Sequence, residues 1–164
     1  MEVVLQQSGS VKRSNRQFKS FAELQRSLEE TDEDLTRFVY PSLKFGAFYH
    51  IPDLDSGFGE GGDHSSHPWM VITPYVPQRP IIMASPRTSS RNQACGVGEI
   101  LIPGGILGGL ERDGVVILKI QRPFPAKNFR YYDYIGLLPE AWQDKLKDAL
   151  QRLGEKITRE SEAP

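Results

Sequence analysis

The stretch His64–Arg91, HSSHPWMVITPYVPQRPIIMASPRTSSR, decides the predicted fold. It holds one continuous apolar run at Trp69–Thr73 and a second at Pro80–Ala84, with a proline-rich segment between them. A short apolar run bounded by turn residues is typical of a strand that is buried on both faces, and prolines end such strands. The stretch therefore predicts two neighbouring strands that the chain leaves through a polar turn, Ser85–Arg91.

This stretch contains basic residues but no acidic ones. No Asp or Glu occurs from His64 through Gly98, although three arginines fall there and two of the chain's three histidines stand at its entrance. Arginine can donate two parallel hydrogen bonds to a phosphate. Histidine, with an ordinary pKa of about 6.5, can transfer protons near neutral pH. The stretch therefore predicts a site for an anionic ligand.

The remaining pattern indicates short strands joined by glycine- and proline-containing turns. Asp53–His67 is predicted to be a long flexible loop, and Arg122–Pro125 is excluded from the strands because each proline lacks a backbone donor. Pro139 begins a C-terminal helix that extends to about Lys156. The other predicted strands are Phe45–Ile51, Glu99–Ile102, Val115–Ile120 and Tyr131–Gly136. Short strands in this order predict a mainly β (α+β) chain that forms a small barrel.

Two short helices are predicted ahead of the barrel. One lies at about 21–30; the second follows a cap signature at Thr31 and Asp34, carries Leu35, Phe38 and Val39, and is ended by Pro41. A basic cluster of Lys12, Arg13, Arg16 and Lys19 precedes them. The predicted organisation is an N-terminal extension at 1–40, the barrel with its closing helix at 41–158, and a tail at 159–164.

The composition of the chain argues against several classes of protein. The 164 residues carry a net charge of −1, which argues against a generally polycationic nucleic-acid coat protein. The single cysteine, Cys95, excludes an internal disulfide and a cysteine-based zinc site. No apolar run approaches the roughly 20 residues of a membrane span, and no signal peptide is recognisable. We expect a cytoplasmic protein that needs no cofactor.

Several segments, taken in order, resemble the MazF/PemK family of toxin endoribonucleases. They cover about residues 45–154, and each is weak alone. They are FGAFY at 45–49, the glycine-rich loop 57–62, HPWMVI at 67–72, the strand and Thr/Ser turn at 81–89, GLERD at 109–113, and IGLL at 135–138 leading into the final helix. The resemblance implies an SH3-like barrel, a homodimer, metal-independent cleavage of single-stranded RNA through 2′-OH attack, and neutralisation by an antitoxin.

The resemblance also implies site residues. The family uses an arginine before the proline and a Thr/Ser in the later turn; here His67 precedes Pro68, and Arg87 precedes Thr88. We therefore predict His67 as general base or acid, Arg87 as the cation for the phosphate, and Thr88 with Ser89 as its positioning groups.

Further residues of the same stretch are predicted to bind RNA. His64 could supply a second proton-transfer group if the loop closes, and Trp69 and Tyr75 could stack on bases, although Trp69 also suits the core. Arg79 and Arg91 complete the predicted RNA-binding set. His50, on the first strand, is interpreted as structural.

Three alternatives remain open at this stage. The barrel could be a non-catalytic module that binds a protein or a nucleic acid, which the missing family arginine favours. It could be a toxin that grips a protein target, as CcdB barrels do. A zinc site could also be built from His64 and His67 with Asp63 and His50, but this spacing is common by chance, and no metal is expected.

Overall fold

The computed structural model describes residues 35–59 and 65–162. It confirms a mainly β chain in which antiparallel strands form a half-barrel with a C-terminal helix. The helices are α1 (Leu35–Val39, a π-helical turn), α2 (Asp53–Ser56) and α3 (Glu140–Glu162). The strands are β1 (Ala47–Pro52), β2 (Ser66–Val71), β3 (Ile81–Thr88), β4 (Glu99–Ile102), β5 (Gly114–Ile117), β6 (Arg122–Pro125) and β7 (Tyr134–Leu137).

Strand β3 organises the sheet, whose strands lie in the order β4-β5-β3-β2-β1-β7. One edge of β3 pairs with β2 at Ala84–Pro86. Its first half, Ile81–Ala84, also pairs with β6, and its last two residues, Arg87 and Thr88, pair with β5. The end of β3 is therefore enclosed by neighbouring strands, which is why the polar residues there are buried.

The sheet has a core on each face, as the alternation of strand side chains requires. Tyr49 lies opposite Trp69, and both belong to one core, while Phe48 lies opposite Met70, and both belong to the other. We call these the Trp69 face and the Met70 face. Helix α1 covers the Trp69 face, and helix α3 covers the Met70 face with Leu146, Ala149 and Leu153. The burial predicted for both faces of the apolar run at 69–73 is confirmed for Trp69, Met70 and Val71.

Several predicted boundaries were wrong. Strand β3 continues to Thr88 through Ser85 and Pro86, where a polar turn was predicted. The predicted loop at 53–67 contains helix α2, and strand β2 begins at Ser66, so His67 lies within a strand. These shifts matter for the site, because a residue in a strand has its side chain assigned to one face.

The segment Arg122–Pro125 is also a strand, against the prediction. Within the described chain β6 pairs only with β3, so its other side needs no ladder hydrogen bonds. Prolines are tolerated in such an edge strand because the missing donor faces away from the partner.

The second predicted helix is confirmed over Leu35–Val39, the part of it that the structure describes, and the C-terminal helix extends beyond Lys156 to Glu162. The predicted helix at 21–30, the basic cluster at 12–19 and His64 lie outside the described residues. Over 35–59 and 65–162, no helix combines the length and the hydrophobicity needed to cross a membrane.

Candidate functional site

A groove of about 210 Å³ opens where strands β1, β2 and β3 meet the turn after β4. It gathers two histidines, two arginines and two serines from separate parts of the chain. The lining residues are His50, Ser66, His67, Pro68, Arg87, Ser89, Gly109, Leu110, Glu111 and Arg112. Its position agrees with the sequence prediction that the entrance to β2 and the exit from β3 lie together.

The strand register decides which side chains share the groove. His50 lies opposite Pro68, two residues along the strand from Phe48, so it belongs to the Met70 face. Arg87 lies opposite Val116, which is packed in the core of the same face. We refer to this site as the Arg87 groove.

Arg87 is the most confined charged group of the groove, with a relative exposure of 3%. Its Nη2 donates to the carbonyl oxygens of Ile102 at 3.1 Å and Arg112 at 2.6 Å. Gly114 makes room for it, since a Cβ at that position would lie 2.6 Å from Cζ of Arg87. The guanidinium is thus held at a fixed place beneath the strand β5.

The charge of Arg87 has no close counterion among the described residues. Its Nε is buried and has no hydrogen-bond partner within the described part of the chain. Burial lowers the pKa of the guanidinium from its usual value, and the negative charge of Asp113 offsets this only in part. A buried guanidinium that is hydrogen-bonded to carbonyl oxygens, and that has no carboxylate within ion-pair distance among the described residues, would be stabilised by a bound anion.

His67 lies on the other side of strand β2. It pairs with Ile51 of the Trp69 face, and its Nδ1 is 2.6 Å from Oδ1 of Asp53, a carboxylate that is 1% exposed. Its ring also packs edge-on against Phe58. His67 lines the groove between Ser66 and Pro68, but its ring is turned toward Asp53 and away from the face that carries Arg87. His67 and Arg87 both line the groove, but the register assigns their side chains to opposite faces of the sheet, and their joint role stays a prediction.

The two hydroxyl residues of the predicted site also separate. Thr88 is buried, and its Oγ1 is 2.8 Å from Oγ of Ser90, in a local turn whose Ser90 N–H donates back to it at 3.2 Å. Ser89 is exposed and lines the groove. Ser89 is thus available to a ligand of the Arg87 groove, whereas Thr88 is engaged in the turn.

Trp69 cannot stack on a base as predicted, because it is fully buried between Phe58 and Phe124. Tyr75 is half-buried and stacked on Tyr40 at 4.1 Å between ring centroids. Arg79 is exposed in the turn after β2, where it lines a different cavity. Tyr75 and Arg79 therefore lie at the far end of strand β2 from the groove.

Arg91 has a counterion of its own. Its Nη1 donates to Oε1 of Glu99 at 2.9 Å, and the same carboxylate accepts the Cys95 N–H at 2.9 Å and contacts Nζ of Lys119 at 3.1 Å. We call these four groups the Glu99 anchor. The anchor holds the loop 89–98 against strand β4, which explains Arg91 without a ligand.

Sequence reasoning missed Asp53 and the groove position of His50. Asp53 was assigned to a flexible loop, and only the register Ile51 opposite His67 brings it to the imidazole. The face of His50 could have been found by extending the alternation of Phe48 along β1. Over the described residues, no three His, Cys, Asp or Glu side chains converge in a way that could hold a metal ion; Asp63 and His64 of the zinc alternative lie outside them.

No protein-family model and no curated protein matches the chain. Among solved structures, it is similar to an endoribonuclease in complex with its cognate antitoxin from Mycobacterial species, with a TM-score of 0.49 and 18% identity. The match covers 67% of this chain and 93% of that one. At this level of likeness, the function of the chain has to be argued from its own residues.

Proposed function

We propose that the chain is a toxin-type endoribonuclease that cleaves single-stranded RNA at the Arg87 groove without a metal ion. The observation that carries the proposal is the buried Arg87 guanidinium, which has no carboxylate partner and an unpartnered Nε within the described chain. The resemblance of residues 45–154 to the MazF/PemK family supports RNA as the polymer.

The groove contains a cation, a hydroxyl group and an imidazole that can bind a phosphodiester and move its protons. A phosphate oxygen can accept from Arg87, and hydrogen bonds between a guanidinium and a phosphate are roughly twice as strong as neutral ones. Ser89 supplies a hydroxyl donor beside it, and His50 supplies an imidazole on the same face. Exposed Glu111 and Arg112 stand at the rim, where they can contact the nucleotides on either side.

The proposed step replaces the bond from phosphorus to the 5′-oxygen by a bond to the 2′-oxygen. The His50 imidazole takes the proton of the ribose 2′-OH, the 2′-oxygen bonds to the adjacent phosphorus, and the bond from phosphorus to the 5′-oxygen breaks. The 5′-oxygen takes a proton from water, the imidazolium returns its proton to solvent, and the products carry a 2′,3′-cyclic phosphate and a 5′-OH. Arg87 stabilises the charge that develops on the non-bridging oxygens, where a positioned donor is worth about 10²–10³ in rate.

The test is incubation of the purified chain with mixed-sequence single-stranded RNA in the presence of a chelator. We expect fragments with 2′,3′-cyclic phosphate ends, and no cleavage of the same sequence as DNA, which lacks the 2′-OH. His50→Ala should lower the rate of fragment formation about 100-fold, while His67→Ala should retain it within a few-fold. Intact RNA with wild-type protein would overturn the proposal, and loss of cleavage in the His67 variant alone would move the chemistry to the Asp53 side.

Neutralisation by an antitoxin and assembly into a homodimer belong to this proposal, as the family resemblance implies. Expression of the chain alone should stop bacterial growth, and coexpression of a neighbouring acidic open reading frame should restore it. Normal growth with a folded, abundant protein would contradict the toxin assignment but would leave the cleavage assay to decide the reaction.

A second function, binding of RNA without cleavage, is favoured by the hydrogen bonds that tie Arg87 to two carbonyl oxygens. A fixed guanidinium suits recognition as well as catalysis. RNA that binds with an affinity sensitive to Arg87 and stays intact would identify this function.

A further inference from the structure

We propose that an exposed aromatic patch beside strand β7 is a second RNA subsite, which stacks bases of the single strand that extends out of the Arg87 groove. The patch consists of Phe38 on α1, Tyr131 in the helical turn Tyr131–Asp133, and Tyr134 on β7. This inference rests on the proposed function, because it takes RNA to be the polymer in the groove.

The first observation is exposure. Phe38 is 52% exposed, Tyr131 53% and Tyr134 38%, although large aromatic side chains are normally buried to a high degree. The rings of Phe38 and Tyr131 lie 6.2 Å apart between centroids and are tilted by 41°. A cluster of exposed rings on a folded domain marks an interaction surface.

The second observation is that packing against the core holds the patch in place. Helix α1 is anchored by Leu35 and Val39, which are buried in the core of the Trp69 face. Tyr134 packs against buried Tyr49 at 5.2 Å between centroids. Rings that are already held in place lose little conformational entropy when a base stacks on them.

The third observation is the charge around the rings. The Arg37 guanidinium lies 5.2 Å from the centroid of Phe38, and Lys127 and Arg130 flank the turn that carries Tyr131. The segments 35–52 and 119–138 contain one acidic residue, Asp133, which is buried, although the acidic run EETDED at 29–34 directly precedes the first segment in the sequence. Exposed aromatic rings among cations are the combination that binds single-stranded nucleic acid.

The fourth observation is the path from the groove. Gly109 lines the Arg87 groove, and a Cβ there would lie 2.8 Å from Cγ2 of Ile135. Ile135 is on β7, the last strand of the sheet over the described residues, and the ring of its neighbour Tyr134 packs against Tyr49 of the Trp69 face. Among the described residues, β7 is therefore the edge strand between the groove and the patch, so a polymer that rounds this edge would reach the rings.

The test measures binding of two fluorescent 2′-O-methyl RNA probes, which cannot be cleaved, in chelator at low salt. A probe of about ten nucleotides spans groove and patch, and a probe of about three fills the groove alone. The double variant Phe38→Ala/Tyr131→Ala should bind the long probe about 10-fold more weakly or worse, since each stacked base is worth about 1–3 kcal/mol. Its affinity for the short probe should stay within about 2-fold of wild type.

Two controls keep the result specific. Phe38→Tyr/Tyr131→Phe retains both rings and should bind the long probe like wild type. Ile157→Ala removes another side chain that is 56% exposed, on α3, and should change neither affinity. Circular dichroism checks that each variant is folded.

The outcomes separate this inference from the proposed function. Weaker long-probe binding together with intact natural RNA would reject the nuclease and retain the subsite. Cleavage with unchanged long-probe affinity in the double variant would overturn the subsite and retain the nuclease. A change in sedimentation coefficient without a change in affinity would identify the patch as a protein contact and would also overturn the subsite.

Discussion

The Arg87 groove and the Glu99 anchor each contain a buried charged side chain, but only the anchor pairs it with side chains of opposite charge. In the anchor, the carboxylate of Glu99 meets Arg91, Lys119 and a backbone N–H, so the charges are satisfied within the protein. In the groove, the guanidinium of Arg87 meets two carbonyl oxygens and no carboxylate among the described residues. Both features lie on the exit from strand β3, four residues apart in sequence. The difference indicates that the anchor stabilises the fold, whereas the charge of Arg87 has no paired carboxylate among the described residues.

The pKa directions support this contrast. Burial alone would raise the pKa of Glu99, but its hydrogen bonds to Arg91, Lys119 and the Cys95 N–H outweigh burial, and the pKa is lowered. For Arg87, burial dominates and the pKa is lowered, which means that the charged form is disfavoured there. The protein therefore stabilises the charged form of Glu99 but does not stabilise the charged form of Arg87 to the same extent.

The largest expected effect comes from exchanging the two arginines for an uncharged side chain of similar length. Arg87→Met should lower RNA cleavage about 1,000-fold per folded molecule, because the phosphate loses its buried cation. The matched variant Arg91→Met should lower it less than about 3-fold, since a partly exposed ion pair contributes little. Initial rates with a quenched fluorescent RNA measure both. Equal losses in the two variants would remove the distinction between groove and anchor.

The next effect distinguishes the two faces of strand β2. His50→Ala should lower cleavage about 100-fold, the usual contribution of a positioned proton-transfer group. His67→Ala should leave cleavage within a few-fold and should instead destabilise the fold, because buried Asp53 loses its partner. Cleavage rates and urea unfolding are measured on the same preparations. A 100-fold loss in the His67 variant with an active His50 variant would place the reaction on the Trp69 face.

The core was predictable from the sequence because it follows from strand alternation and apolar runs. The run WMVIT predicted a strand buried on both faces, and Trp69, Met70 and Val71 are buried in two different cores. The prediction for β6 was wrong because the preference of prolines does not show that, among the described residues, one side of the strand pairs with no other strand. Edges are set by the order of strands in the sheet, which depends on contacts between distant segments.

The proximity of two segments was predictable, but the placement of individual side chains was not. Residues 66–68 meet Arg87 and Ser89 at one groove, and the functional roles of these residues stay predictions. A shift of one residue in a strand, however, moves a side chain to the other face. The boundary of β2 at Ser66 and the extension of β3 to Thr88 decided that Arg87 and His50 share a face, while His67 turns to Asp53. Short polar segments at strand ends carry no periodic signal that could have located these boundaries.

A smaller effect tests the anchor itself. Glu99→Gln should lower the free energy of unfolding by about 2 kcal/mol, because hydrogen bonds to a charged group are lost while the half-exposed cations regain water. Urea denaturation at pH 7 measures this, and cleavage per folded molecule should stay near the wild-type rate. The conservative control Lys119→Met removes one exposed partner and should cost less than half as much. A cleavage loss that exceeds the stability loss would make the loop 89–98 part of the reacting site.

The smallest expected effect is the decrease in the free energy of unfolding at acid pH. The folded pKa of Glu99 lies below its ordinary value of 4.5, so the unfolded chain takes up the proton first as the pH falls. The stabilisation is therefore fully present above pH 4.5 and is lost as the pH drops through the lowered folded pKa. Urea unfolding of wild type and Glu99→Gln between pH 6 and 3 should show curves that converge toward the acid end. Parallel curves over this range would mean that Glu99 has the same affinity for protons in both states, and the anchor would then owe its order to packing and not to charge.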